Sequence, residues 1–328
     1  MKAKAIRLDQ PGPAEALHWV DVDVPEPGTR EVLIKQRAVG LNYIDIYHRQ
    51  GLMGIGDFPA TLGVEGAGEV VAVGEGCEFG FSVGDKVAYA GPLGGYAQYR
   101  TIHERHIIKI PEPVTPEVAA GLMVKGLTAH FLVRRTFIVD ERATVLLHAA
   151  AGGVGLLVAQ WAASVGAKVI GTVGSAEKAE LAKANGCAHV LNYKQDNIVE
   201  AVQEITKGAG CNVVYDSVGV ATFRQSLECL GPFGMMVSYG EASGSVPAVD
   251  LNSLQKRGSL FLTRPSLEHY IRDHSEYVVA CAALFSEVVD GNLKANIMQS
   301  YNLRNVAMAH KDLEQRRTTG STILFTEA

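Results

Sequence analysis

Residues 144 to 155, Thr-Val-Leu-Leu-His-Ala-Ala-Ala-Gly-Gly-Val-Gly, run apolar, break into glycines and resume as a helix expected over Leu156 to Val165. A strand that ends in such a turn and feeds a helix constrains the chain to β-α-β topology, with the helix N-terminus beside the strand end. Against the fingerprint G-x-G-x-x-G the three positions are Ala150, Gly152 and Gly155. The first takes the tight turn, the second lets backbone approach a pyrophosphate, and the third lets helix pack closely on sheet. Six residues say little by themselves, because an ordinary strand-to-helix turn uses the same glycines. The surrounding rhythm decides.

From residue 1 to about 112, short strand candidates follow one another: Lys4 to Leu8, Leu17 to Val22, Glu31 to Val39, Gly68 to Val73, Lys86 to Tyr89 and Tyr96 to Ile102. Pro and Gly punctuate them, the pattern of an all-β region. From about 126 to 263 strands alternate with helical stretches, which predicts right-handed β-α-β units and a parallel sheet. The strand candidates are Thr144 to Ala149, Lys168 to Val173, His189 to Leu191, Asn212 to Ser217, Met235 to Tyr239 and Leu260 to Thr263. Helices are expected at Leu156 to Val165, Ala176 to Ala184, Ile198 to Lys207 and Thr222 to Leu230. Beyond Pro265 come helical stretches Tyr270 to Val289 and Val306 to Gln315, then a strand Thr322 to Phe325 that returns to the β region. The fold class is α/β, a doubly wound sheet plus a β domain.

Composition excludes several classes. The 328 residues allow roughly two domains, and 35 acidic against 30 basic residues leave a net charge of −5. No Lys/Arg cluster tracks a phosphate backbone, so nucleic acid is not an expected partner. No window approaches the roughly 18 to 20 apolar residues that span a bilayer. The first nine residues alternate apolar and polar and lack the apolar core of a signal peptide. Five widely spaced cysteines with no C-x-x-C suit a reducing, cytoplasmic setting.

The end of the second parallel strand discriminates between dinucleotides. An Asp or Glu there, about 20 residues after the glycines, accepts hydrogen bonds from the adenosine ribose of NAD. Here the segment is Gly171-Thr-Val-Gly-Ser-Ala-Glu-Lys178, with Gly174 or Ser175 at that position. A carboxylate would repel a 2′-phosphate by roughly 4 kcal/mol per charge pair at ~4 Å and an effective dielectric near 20. Its absence permits NADPH, Lys178 offers a positive partner, and Asn192-Tyr193 adds a hydroxyl and an aromatic face. A solvated first-turn lysine is the competing reading of Lys178.

Ala149-Ala-Ala-Gly-Gly-Val-Gly155, Gly126-Leu-Thr-Ala129, Val213-Val-Tyr-Asp-Ser-Val-Gly219, Thr263-Arg-Pro-Ser266, Val39-Gly-Leu-Asn-Tyr-Ile-Asp45 and Leu62-Gly-Val-Glu-Gly-Ala-Gly-Glu-Val70 together span the chain. They resemble the NADPH:quinone oxidoreductases, the zinc-free ζ-crystallin-like branch of the medium-chain dehydrogenase/reductase superfamily. The resemblance implies a GroES-like β domain over residues 1–125 and 265–328, a Rossmann domain over 126–264, and an active site in the cleft between them. It implies a homodimer joined through the edges of the Rossmann sheets, at Ser259 to Thr263.

Zinc alcohol dehydrogenases of that superfamily carry a Cys and a His in a G-H-E motif where this chain has Asn42-Tyr-Ile-Asp45 and Gly63-Val-Glu65. Asp45 with Glu65 is a poor set for tetrahedral zinc, and His103-x-x-His106 reads as two exposed histidines. No metal is expected. Alcohol oxidation needs help in losing the hydroxyl proton, which zinc supplies. A quinone or other conjugated carbonyl is electrophilic already, and positioning carries most of the catalysis.

The resemblance further places Asn42, Asp45 and Tyr47 across from the nicotinamide as the catalytic set, Asn42 toward cofactor ribose or carboxamide and Tyr47 toward an acceptor carbonyl. Core filler is the competing reading of Tyr47. Cofactor contacts are expected from Asn42, Thr128, Gly152, Gly153, Val154, Gly155, Gly174, Ser175, Lys178, Tyr193, Ser217, Tyr239, Gly240, Leu262, Thr263, Arg264 and Arg316. Lys125 and Thr128 are expected just before a long helix into the Rossmann domain, with a structural role open for Lys125. Two other functions stay open: an NADPH-dependent enone or alkenal reductase, and an RNA-binding or structural crystallin-like protein, the latter opposed by the intact glycine turn.

Overall fold

The computed structural model describes residues 1–327, and contacts divide them into two units. The first unit runs from Met1 to Leu127 and takes up Ile271–Asp290 and the chain from Ala295 onward. The second comprises Thr128–Tyr270 with Gly291–Lys294.

The first unit opens with the hairpin β1 (Lys2–Leu8) and β2 (Leu17–Asp23). It continues with β3 (Glu31–Leu41), helix α1 (Tyr43–Arg49), β4 (Glu65–Val73), β5 (Lys86–Ala90), β6 (Tyr99–His103) and β7 (Ile107–Lys109). Helices α2 (Pro116–Ala120) and α3 (Met123–Phe131) follow.

In the second unit β8 (Thr144–Leu147), α4 (Gly153–Ser164), β9 (Lys168–Val173), α5 (Ala176–Ala184), β10 (His189–Asn192), α6 (Ile198–Thr206) and β11 (Cys211–Asp216) alternate strand and helix. They are followed by α7 (Phe223–Glu228), β12 (Leu230–Ser238), α8 (Leu251–Lys256), β13 (Phe261–Thr263) and α9 (Leu267–Tyr270). The first unit then resumes with α10 (His274–Val289), β14 (Ile297–Asn302), α11 (Val306–Glu314) and β15 (Ser321–Phe325).

All six strands of the second unit are parallel, in the order β10-β9-β8-β11-β12-β13. That is the doubly wound order 3-2-1-4-5-6, which reverses between β8 and β11 and so opens a crevice at their carboxyl ends. The strands read as unbroken apolar runs because helices cover both faces. Leu146, Ile170, Val214 and Met236 pack with Ile198 and Val202 of α6, Phe223 and Leu227 of α7, and Leu254 of α8. Truncating such a residue to alanine costs about 2–5 kcal/mol, so this core sets the sheet and thereby its carboxyl edge.

The first unit's main sheet has the order β14-β15-β3-β4-β5-β7, with β6 pairing β3. Its central strand β3 is buried along most of its length. One cluster gathers Ile6, Leu8, Val39, Leu41, Tyr96 and Leu324 with Leu303, Val306 and Ala309 near the C-terminus. The C-terminal strand thus returns to the β unit as the sequence implied, pairing with β3 over Thr322 to Phe325.

Several boundaries differ from the sequence expectation for identifiable reasons. The strand at Thr144 stops at Leu147, because Ala149 turns to φ +53 and leaves the extended region. The helix expected from Leu156 starts at Gly153, so Gly153, Val154 and Gly155 are its first turn rather than a loop. Lys125 and Thr128 lie inside α3, not ahead of a helix, and a five-residue π turn, Leu132–Thr136, ends it. The helix expected from Tyr270 starts at His274, because Asp273 is extended and stands at the N-cap of α10, while the short α9 ends at Tyr270. Strands β7 and β14 and helix α8 go beyond the sequence expectation. Strand β14 carries Gln299, Ser300 and Asn302, a weak strand pattern, and forms through its parallel pairing with β15.

Candidate active site

The glycine turn joins β8 to α4 at the switch point. The left-handed residue is Ala149, one before the expected fingerprint position, and its carbonyl accepts from Gly152 N at 2.9 Å. A Cβ on Gly155 would lie 2.4 Å from Ala149 O, so only glycine allows α4 to approach this close. Gly152 is the extended N-cap and supplies no side chain. The first amides of α4, on Gly153, Val154 and Gly155, lack intrahelical acceptors by the geometry of a helix start, and their dipoles favour an anion. A dinucleotide pyrophosphate fits this cradle.

At the end of β9 a Cβ on Gly174 would lie 2.3 Å from the Tyr193 hydroxyl, so glycine makes the room that this tyrosine occupies. Ser175 caps α5, its Oγ accepting from Lys178 N at 3.3 Å. That hydroxyl still has its proton to donate. Gly174, Ser175, Lys178 and Tyr193 therefore share one strand end with a helix N-terminus, and Glu177 is exposed.

Ser217, Tyr239 and Gly240 stand at the neighbouring carboxyl ends. A Cβ on Gly240 would come 2.7 Å from Ser217 O, and Tyr239 N donates to Asp216 O at 2.8 Å. Burial pushes the Tyr239 phenol up to about 12, so it stays a neutral hydroxyl. Arg264 donates to Ser238 O and Gly240 O and lies 3.2 Å from Glu241, which ties β13 to β12. Leu262 and Thr263 precede it on β13.

Beneath this edge lies a buried cluster that sequence reasoning missed. Asp216 accepts from Val218 N, Gly219 N, Thr222 Oγ1 and Ser226 Oγ. Ser226 Oγ also lies 2.9 Å from His148 Nε2, and His148 Nδ1 lies 2.9 Å from Thr172 Oγ1. Since Ser226 donates to the carboxylate, it accepts from His148 Nε2–H, and Nδ1 is left to accept from Thr172. Burial lowers the His148 pKa, opposed by Asp216, so the ring is neutral. It fixes the last residue before the glycine turn against β9 and α7.

In the first unit Asn42, Asp45 and Tyr47 fall at the start of α1, as expected. Asn42 is its N-cap, and Asp45 closes a capping box by accepting from Asn42 N at 2.9 Å. Such a box satisfies two otherwise orphaned donors of the first turn. Asp45 departs from the expected catalytic place: it is 0 % exposed, and Oδ2 is already engaged by the Tyr96 hydroxyl at 2.8 Å. A carboxylate so enclosed orients its neighbours through Oδ2, while its Oδ1 is buried without a hydrogen-bond partner. Burial raises its pKa to about 7, with Asn42 N and Tyr96 OH opposing and Glu65 adding to the rise. Tyr47 is half-buried, edge-on to Tyr43 with ring centroids 5.2 Å apart.

Asp45 begins a longer chain of buried groups. Tyr96 OH lies 3.1 Å from His310 Nε2, Arg49 Nη1 lies 3.2 Å from His310 Nδ1, and Arg49 holds Glu314 with two bonds of 2.7 and 3.1 Å. Because Tyr96 donates to Asp45, it accepts from His310 Nε2–H, and Nδ1 accepts from the guanidinium. Burial, with the Arg49 charge, lowers the His310 pKa to about 3.

On the other side of α1, Glu65 is fully buried and accepts from Asn42 Nδ2 at 2.8 Å, Lys125 Nζ at 2.6 Å and Val124 N at 2.6 Å. Arg316, exposed with φ +58, follows α11, and its charge reaches Tyr43, opposing the burial that raises that phenol's pKa. Thr128 is buried on α3. His103 and His106 are half-buried rather than exposed, and His103 Nδ1 accepts from Arg105 N at 3.2 Å. The sequence signal for the missed Asp216 was an ionisable residue inside an apolar run; such residues are almost never buried without partners.

Residues 28–112 match the alcohol dehydrogenase GroES-like domain, and residues 153–281 match the zinc-binding dehydrogenase family. The chain is 45% identical to a quinone oxidoreductase of Pseudomonas aeruginosa, over 98% of this chain and 99% of that one. The crystal structure of Escherichia coli quinone oxidoreductase complexed with NADPH aligns with a TM-score of 0.96 at 41% identity, covering 98% of this chain and 100% of that one. A 2-haloacrylate reductase of a Burkholderia species is 42% identical over 94% of this chain and 95% of its own length.

Proposed function

The chain belongs to the quinone oxidoreductase branch of the medium-chain dehydrogenase/reductase superfamily, and we propose that it reduces quinones with NADPH and without a metal ion. The observation that carries this reading is the end of β9, where Gly174 makes room for Tyr193 beside Ser175 and Lys178, and where the position of the NAD-type Asp or Glu holds Gly174 or Ser175 instead. When bound, NADPH supplies a hydride. The amides of Gly153, Val154 and Gly155, with Gly152 as N-cap, hold the pyrophosphate. Ser175, Lys178 and Tyr193 hold the 2′-phosphate end. Ser217, Tyr239, Gly240, Leu262, Thr263 and Arg264 line the carboxyl edge toward the nicotinamide, with Thr128, Asn42 and Arg316 as further contacts.

On the acceptor side, Tyr47 offers its hydroxyl to a carbonyl oxygen, and Asp45 acts as a positioning residue through the α1 cap. Conjugation makes a quinone electrophilic, so orienting it against the reductant supplies most of the rate. Zinc does not fit the first unit's polar cluster. The segment Asn42 to Asp45, where zinc alcohol dehydrogenases of the superfamily carry a Cys, holds none, Glu65 is already bound by three donors, and the Lys125 ammonium 2.6 Å from it repels a dication. Among the described residues no cluster of three or more His, Cys, Asp or Glu is arranged to hold a metal.

The test is a panel of benzoquinones and naphthoquinones with NADPH or NADH, with and without a chelator. Chelator-resistant, NADPH-preferring quinone reduction is expected. Alcohol oxidation that a chelator abolishes would overturn the metal-free reading. The similarity to a 2-haloacrylate reductase favours carbon–carbon double-bond reduction as the second reading. That reaction needs a proton delivered to carbon, a step worth about 10²–10⁴-fold. Tyr47→Phe should therefore cut enone reduction by about 10²-fold while lowering quinone reduction much less; equal effects on both would remove the distinction.

The edge strand β13 supports a homodimer. It ends the six-stranded sheet with one side unpaired within the chain, and Phe261 is 55% exposed upon it. Such an edge is a template for pairing, here with the same strand of a second copy. Light scattering on wild type and Phe261→Lys tests it. Among the described residues no helix is long and apolar enough to cross a membrane, and all five cysteines are unpaired, in keeping with a cytoplasmic setting.

A further inference from the structure

We propose that Glu65 is a positioning residue that clamps the first turns of α1 and α3 together, and so sets the two helices that carry Tyr47 and Thr128. The inference rests on the quinone reductase reading for its kinetic consequence. Its geometric basis stands apart from that reading.

Glu65 is the first residue of β4, and its carboxylate is 0 % exposed. Oε1 takes the side-chain amide of Asn42, the N-cap of α1, at 2.8 Å, and Oε2 takes the backbone amide of Val124, in the first turn of α3, at 2.6 Å. Each oxygen thus holds a different helix start. An acid at a helix N-terminus also interacts favourably with the dipole, and here one carboxylate serves two helices. Lys125, itself buried on α3, closes the arrangement as counter-ion, 2.6 Å from Oε1.

The space for this carboxylate is built into β3. A Cβ on Gly40 would lie 2.0 Å from Glu65 Oε1 and 2.5 Å from Ala120 O, so the strand carries no side chain where the carboxylate lies. The second anchor of Asn42 is its main-chain amide, held by Asp45. Asn42 is therefore fixed at both ends: the backbone by Asp45, the side chain by Glu65. Lys125 acts on α3 through the same carboxylate, and Thr128 follows it about one turn later on that helix. Removing Glu65 would loosen both helix starts at once, without touching the glycine turn of the second unit.

The test compares Glu65→Gln, Lys125→Met and the charge-neutral double variant Glu65→Gln/Lys125→Met by melting temperature, affinity for adenosine 2′,5′-bisphosphate and steady-state kinetics. Each single change leaves one buried charge unpaired, so both should melt early. The double variant removes both charges and should regain most of the lost melting temperature. Its kcat should nevertheless stay about 10- to 100-fold low, since a displacement of about 1 Å costs up to about 10²-fold, while the affinity for adenosine 2′,5′-bisphosphate, which lacks the nicotinamide end, changes less than about threefold. A double variant with wild-type kcat overturns the clamp.

If the double variant does not fold, Glu65→Asp decides. It keeps the charge opposite Lys125 but withdraws the carboxylate by one methylene, so it cannot span both helix starts. A kcat lowered by about tenfold or more supports the clamp, and an unchanged kcat overturns it. If the wild type reduces no quinone, the functional reading fails by itself, and the clamp is judged by hydrogen exchange at the Val124 amide. Loss of protection in folded Glu65→Asp supports it; wild-type protection overturns it.

Discussion

At the carboxyl edge of the parallel sheet, the binding groups are backbone amides and half-exposed side chains drawn from short stretches of chain, such as Gly152 to Gly155 and Gly174 to Lys178. In the β-rich unit the polar groups are buried side chains gathered from far apart, with Arg49 and Glu314 separated by 265 positions. The first arrangement tolerates solvent and waits for a ligand's charge. The second must satisfy its own charges internally, because a buried ion without a partner is strongly destabilising. Substitutions in the two places should therefore fail differently, one in ligand affinity and the other in stability.

The largest effect is expected in the buried network. Lys125→Met leaves Glu65 uncompensated and should lower stability by about 3–5 kcal/mol, read from urea unfolding; a loss below about 1 kcal/mol would show that Glu65 reaches solvent. Next, Gly155→Ala must displace the Ala149 carbonyl, and NADPH affinity should fall about 100-fold, since this glycine sets the approach of helix to pyrophosphate, with a stability loss of about 1–3 kcal/mol, smaller than at Lys125. Equal damage to stability would erase the contrast between the two regions. Lys178→Ala comes third, with the KM for NADPH rising about tenfold, of the order expected for a charge-assisted contact, and that for NADH unchanged. Equal use of both dinucleotides by the wild type would dismiss the 2′-phosphate assignment altogether.

The last contrast concerns pH. Asp45 has a folded pKa near 7 against an ordinary 3.8, so its contribution to stability is fully present below about 3.8 and is lost as pH rises through 7. His310 has a folded pKa near 3 against 6.5, so its contribution is present above 6.5 and is lost as pH falls through 3. The two slopes oppose each other between about pH 4 and 6.5. Asp45→Asn removes one of them, and the melting temperature of the variant minus that of wild type should climb from about pH 4 to 7. A difference that stays flat would mean that Asp45 is ionised throughout that range.

The alternation of strand and helix, the glycine turn and the lack of an acid at Gly174 and Ser175 are legible in the sequence, because each is a local property of consecutive residues. Helix α5 and strand β9 were placed to the residue from their own periodicity and caps. Tertiary structure decided that Ala149 rather than Ala150 takes the left-handed turn, and that Asp45 is buried with its Oδ2 bonded to Tyr96. It also decided that Glu65 and Lys125, ordinary where they stand in the chain, meet as an ion pair 60 positions apart. Hydrogen bonding between side chains that distant leaves no periodic trace, since the pairing depends on sheet order and helix placement, which no local pattern encodes.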